Sequence, residues 1–85
     1  MDYDVLEARY IHGHVVWLRF HDGSEGEVDL WPALNGPVFD ALRDPVVFRT
    51  FHIDANFKTL VWSNGADMAP EFLHEQVRKS RAASV

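Results

Sequence analysis

Two turn-centred segments, FHDGSEGEVDL (Phe20 to Leu30) and VWSNGADMAPEFL (Val61 to Leu73), constrain this chain more than any other feature. Ahead of the first, Val16, Leu18 and Phe20 alternate with Val15, Trp17 and Arg19, and a period of two gathers one apolar row on a single face of a strand. Asp22-Gly23 then supplies the residues of a tight hairpin turn, and Glu25, Glu27 and Asp29 alternate with Gly26, Val28 and Leu30 on the return. Upstream, Val5 to Ile11 reads as a further strand of mixed pattern, with Gly13 as its turn. A three-stranded antiparallel meander follows.

Trp31-Pro32 ends the meander, because Pro lacks a ladder donor and restricts the residue before it. Asn35-Gly36-Pro37 marks a loop, and Val38 to about Arg43 a short helix with Phe39 and Leu42 on one face. Asp44-Pro45 breaks that helix, leaving Val46, Val47 and Phe48 room for one more turn. Phe51 to Asp54 and Lys58 to Trp62 then form a hairpin around Ala55-Asn56-Phe57, closed by Ser63-Asn64-Gly65. A last helix begins at Pro70 and carries Phe72, Leu73, Gln76 and Val77 at helical spacing. The expected class is α+β in two layers, one antiparallel sheet of about five strands under a short helix and a C-terminal helix. A single domain spans residues 1–85, with 78–85 expected as a flexible basic tail bearing Arg78, Lys79 and Arg81.

A chain of 85 residues buries only roughly 60 to 65% of the surface its unfolded form exposes, so the core is small. Its hydrophobic share of 47%, with three Trp and six Phe, still argues for a packed core over a disordered regulator. The chain has no Cys, which excludes thiolate chemistry and a disulfide framework and points to the reducing cytoplasm. Acids at Asp2, Asp4 and Glu7 and the lack of an apolar run exclude a secretory signal and a membrane span as readings of the opening segment. A net charge of −5 opposes general nucleic-acid binding, which needs clustered Lys and Arg.

Taken in order, FHDG (Phe20 to Gly23), VDL (Val28 to Leu30), VFDALRDPVVF (Val38 to Phe48) and WSNGADMAPEFL (Trp62 to Leu73) form a fairly specific set. On them, the stretch from about Val5 to Leu73 resembles a small, mostly bacterial family known as domain of unknown function 2442. The resemblance implies a compact α+β domain, an antiparallel sheet covered by helices, standing alone or joined to modules such as helix-turn-helix domains. It also implies the second member of a two-gene pair reminiscent of toxin and antitoxin, and it brings no catalytic residues. Ser63 stands where Pro is common before Asn-Gly, and Ala69 where a polar residue often precedes Pro70; both departures touch the last turn.

Chemistry is sparsely signalled. His12 and His14 have strand spacing for a shared metal face, but Gly13 between them splays the rings and no acid completes a ligand set, so solvated hairpin histidines and no metal are expected. His52 beside Asp54 is no stronger. Asp29 and Asp67, which recur in the family resemblance, are the carboxylates to weigh for acid–base work, against the commoner duty of accepting backbone N–H bonds at turns. Asp22, Gly23, Asp29, Asn64, Gly65 and Asp67 are accordingly read as turn or cap residues. The serines lack a nucleophile elbow and the glycines are isolated, so neither catalytic residues nor a cofactor is expected.

Trp17, Arg19, Tyr10 and Phe57 could form an aromatic and basic face for single-stranded nucleic acid, opposed by Glu25, Glu27 and Asp29. Read otherwise, Val15, Trp17 and Arg19 are the partner-binding residues of a sheet face that the helices leave exposed. The expected function is a non-enzymatic cytoplasmic adaptor for a small protein partner, the antitoxin-like half of a pair, with self-association left open. The alternatives are a regulatory nucleic-acid-binding module and a small metal- or carboxylate-dependent hydrolase.

Overall fold

The structure, a computed structural model, describes residues 2–83, with side chains described through Ser80. Strands β1 (Val5–His12), β2 (Val15–Phe20) and β3 (Glu25–Asp29) pair antiparallel in that order, which is the expected meander. Alternation in β2 does what its sequence dictates: Val16, Leu18 and Phe20 are fully buried, while Val15, Trp17 and Arg19 point to the other face. Val16 lies opposite Tyr10 and Val28, and Leu18 opposite Ala8 and Gly26. Register shifts in β1 leave Leu6 and Ile11 unpaired and exposed, the signature of β-bulges. The β2–β3 turn is wider than a two-residue hairpin: Phe20 N–H donates to Ser24 O at 2.9 Å, and at Asp22-Gly23 only Gly23 takes a positive φ, 89°.

Beyond β3 a 3-10 turn at Trp31–Ala33 leads to α1 (Pro37–Asp40), a second 3-10 turn at Ala41–Arg43, and α2 (Pro45–Phe48). Asp44 and Pro45 both break and begin: Asp44 Oδ1 accepts the Val46 N–H at 2.9 Å, and Pro45 opens α2 where a missing N–H costs nothing. Strands β4 (His52–Ile53) and β5 (Leu60–Val61) follow, then α3 (Pro70–Ala83).

The class is α+β, but the five strands form two sheets, not one. β4 and β5 pair over only two residues each, and β1 meets their hairpin through a single hydrogen bond, Val5 N–H to Lys58 O at 2.9 Å. The expected tail from residue 78 is helical as far as Ala83, and Ser84 and Val85 lie outside the described residues. Ser80 Oγ donates to Glu27 O at 2.9 Å, so α3 closes over the edge of β3.

Every element contributes to one core. Leu73 and Val77 of α3, Leu42 of the second 3-10 turn, Phe48 of α2 and Leu60 of β5 cluster with the inward row of β2, each 1% exposed or less. Full burial of such a side chain stabilises by roughly 1.5–3 kcal/mol. Phe48 is the hub of the aromatic part, with ring centroids 4.8 Å from His14, 5.8 Å from Trp62 and 6.2 Å from Phe51. Trp62 Nε1–H donates to the Phe48 carbonyl at 2.7 Å, which satisfies both polar groups inside this cluster.

Candidate functional site

Two regions gather side chains capable of recognition or chemistry. The first is the outward face of β1-β2-β3, where the register builds rows across the sheet: Glu7–Arg19–Glu25, then Arg9–Trp17–Glu27, then His12–Val15–Asp29. Trp17 and Val15 are half-buried, not exposed as the sequence suggested. The Arg9 guanidinium lies 5.4 Å from the Trp17 ring centroid and ion-pairs with Glu7 at 2.7 Å, and Arg19 shares the same Glu7 at 3.4 Å. These two guanidinium groups, Arg9 first, hold the Glu7 carboxyl below its usual range. Along β3 the same face carries Glu25, Glu27 and Asp29 in one row, an acidic margin beside the Trp–Arg centre.

The four residues weighed as a nucleic-acid stacking face do not share one. Tyr10 turns inward against Phe48, at a centroid distance of 6.3 Å, with its hydroxyl donating to Gly13 O. Phe57 sits on the β4–β5 loop. In the basic segment, Arg78 is ion-paired with Glu75, which lowers the Glu75 carboxyl and raises the Arg78 guanidinium.

The second region joins the β2–β3 turn to α3. Asp22 Oδ1 accepts the Ser24 N–H at 2.9 Å and the Ser24 hydroxyl at 2.6 Å, while Oδ2 accepts the His74 Nε2–H at 2.8 Å. These bonds to the charged form, the Ser24 hydroxyl first and then its N–H and His74, hold the Asp22 carboxyl down at about 2. A hollow of about 310 Å³ lies over them, lined also by Val77 and Arg78. Ser, His and Asp meet here, but not in the order of a Ser-His-Asp triad: the Ser24 hydroxyl donates to the Asp22 carboxylate and not to the imidazole. Sequence reasoning found Asp22 as a turn residue and missed His74. The available signal was that His74 adjoins Leu73 and lies three positions before Val77, on the inward side of α3.

The remaining turn residues act locally. Asp29 Oδ1 accepts the Trp31 N–H at 3.0 Å, at the entry to the 3-10 turn. Asn64 accepts the Ala66 N–H and donates to Val38 O, each at 3.0 Å, and Gly65 follows with φ 90°. Asp67, read as a turn or cap residue, is exposed and is held by backbone pairing with Val61. Asp29 and Asp67 open onto separate hollows that meet at Ala33 and Phe72, so they do not line one cleft.

The histidines also separate. His14 is no solvated hairpin residue: its Nε2–H donates to Leu42 O at 2.9 Å and its ring packs between Trp31 and Phe48, whereas His12 is exposed. Asp54, next but one to His52, accepts the N–H groups of Asn56 and Phe57. Among the described residues no three His, Asp or Glu side chains converge to hold a metal ion, and no helix is long and apolar enough to cross a membrane.

Compared with known proteins, residues 5–79 match the family model described as Protein of unknown function (DUF2442). No curated protein and no solved structure matches the chain.

Proposed function

The chain belongs to the DUF2442 family of proteins of unknown function, and we propose that it is a non-enzymatic protein-binding domain that docks a small protein partner on the outward face of its three-stranded sheet. The observation that carries this reading is the Arg9–Trp17–Glu27 row: a Trp under a guanidinium in the middle of a sheet face, beside three acids in register on β3. Trp and Arg are the residues enriched at the energetic centres of protein interfaces. The acid row fits a partner whose surface is basic, and an acidic surface of this kind works by steric and electrostatic masking. In the two-gene arrangement that the family resemblance implies, that partner is the neighbouring small protein and this domain is its antitoxin-like half, acting in the cytoplasm.

The test is co-expression with the product of the adjacent gene, followed by measurement of the complex by calorimetry. Trp17→Ala should weaken association by about tenfold or more while leaving the circular dichroism of the free domain unchanged. Association that is indifferent to Trp17, or a neighbour that does not bind at all, would remove this reading.

A further inference from the structure

Phe57 is 68% exposed, more than any other large hydrophobic residue among those described. The loop that carries it is held tightly. Asp54 Oδ2 accepts the N–H groups of Asn56 at 2.8 Å and Phe57 at 2.7 Å, and Lys58 N–H returns to Asp54 O at 2.8 Å. Lys58 sits at φ 57°, the one non-glycine residue in the left-handed region among the described residues. A firmly bonded turn with a strained residue therefore holds an apolar ring out in water, which is the pre-organisation that recognition favours and folding alone does not require.

Beside this ring lies a groove of about 520 Å³, whose apolar lining is Tyr3, Phe57 and Pro70 and whose charged lining is entirely acidic: Asp2, Asp4 and Glu71. The floor is fixed to the core, because the Tyr3 ring packs 4.5 Å from His74, which in turn meets the edge of buried Phe20 at 5.0 Å.

We propose that this groove binds an arginine-bearing peptide segment of a partner protein. The faces of Tyr3 and Phe57 take a guanidinium by cation–π contact, the carboxylates of Asp2 and Glu71 complement its charge, and an apolar neighbour in the peptide covers Phe57. The chemistry selects against other occupants. Phosphate of a nucleic acid meets acids and no cationic side chain in this lining, a second copy of the groove brings acid against acid, and a small polyamine answers the charge but leaves Phe57 in water. The groove shares no residue with the Trp17 face, so it is a second surface and does not depend on the first.

The experiment is an amide NMR titration of the whole domain with the synthetic peptide acetyl-Leu-Arg-Leu-Arg-Leu-amide, with its Glu counterpart and spermine as controls. The arginine peptide should produce saturable shifts at Tyr3, Phe57 and Glu71, the Glu peptide none, and added salt should weaken the binding. Phe57→Ala and Glu71→Lys should each weaken it by about fivefold or more, and Trp17→Ala should leave it unchanged. The proposal is overturned by the absence of saturable shifts at these residues up to millimolar peptide, by binding insensitive to Phe57→Ala, or by spermine shifting the same residues as strongly. Phe57 contributes nothing to the core, so loss of binding in its variant is readable against an unchanged amide spectrum elsewhere.

Discussion

His74 Nε2–H donates to Asp22 Oδ2 at 2.8 Å, tying α3 to the β2–β3 turn across 52 positions of sequence. The imidazole is only 19% exposed and its ring meets Phe20 edge-on, so a polar clasp sits directly on the end of the apolar row of β2. The same carboxylate closes its own turn through Ser24. One side chain thus couples local turn geometry to helix docking, and Tyr3, whose ring packs tilted against His74, extends the coupling to the opening residues.

The clasp should leave a signature in acid. The Asp22 carboxyl is held at about 2, below its ordinary 3.8, so its folded form prefers the charged state more than its unfolded form does. Stability from such a group is fully present above the unfolded value and is lost as pH falls through the folded one. The gap in melting temperature between the native chain and Asp22→Asn should therefore be constant above about pH 5 and close between roughly pH 4 and pH 2. Taking the difference matters, because Glu7 and Glu75 are also lowered by their Arg partners and contribute to the acid loss of both proteins. A gap unchanged down to pH 2 would show that the carboxylate carries no such linkage.

Trp62 should be costlier to shorten than Trp31. Trp62→Phe keeps an aromatic ring against Phe48 but strands the carbonyl that Nε1 now satisfies, and leaving a buried acceptor unpaired costs about 1–3 kcal/mol. Trp31→Phe changes a residue 48% exposed, where effects stay within about 0.5 kcal/mol. Urea unfolding of the two variants checks this, with a clear fall in midpoint expected for the first only.

The core of β2 and the surface of the β4–β5 loop can be separated in the same way. Leu18→Ala removes a fully buried side chain of the common core and should cost about 2–5 kcal/mol. Phe57→Ala should leave the unfolding midpoint nearly unchanged, since its ring is mostly in water. Should Phe57→Ala instead destabilise the fold as Leu18→Ala does, the ring is packing and not a free recognition element.

What was legible in the sequence is what local rules decide. Val15 to Phe20 announces a one-sided strand because a period of two reports burial directly, and Pro70 opens a helix because a fixed φ and a missing N–H are tolerated there; Pro37 and Pro45, read as loop and breaker, open α1 and α2 for the same reason. Asp44 was visible as a helix breaker, and its second role as the cap of α2 follows from the same chemistry. The division into two sheets was not legible: β4 and β5 are two residues each, and nothing local says that β1 meets Lys58 by one hydrogen bond and not by a ladder. Long-range pairs were hidden for the same reason. His14 reads as a turn histidine until the second 3-10 turn and α2 bring Leu42 O and Phe48 to it, and no periodicity points His74 to Asp22.

Asp29 and Asp67 provide the last test, because the sequence raised them as a pair and the structure sets them on either side of Ala33 and Phe72. Asp29→Ala removes the acceptor of the Trp31 N–H at the start of a 3-10 turn, a loss comparable to that of a helix cap, about 1 kcal/mol. For a domain of this size that corresponds to a melting temperature lower by roughly 4–8 °C. Asp67→Ala removes an exposed carboxylate whose place is kept by backbone pairing with Val61, so its cost should stay within about 0.5 kcal/mol. Two groups that act independently combine additively, whereas groups sharing a site do not. Calorimetric melting of the single and double variants reads this directly: the double should equal the sum of the singles, and a discrepancy beyond about 0.5 kcal/mol would mean that the two carboxylates work as one unit after all.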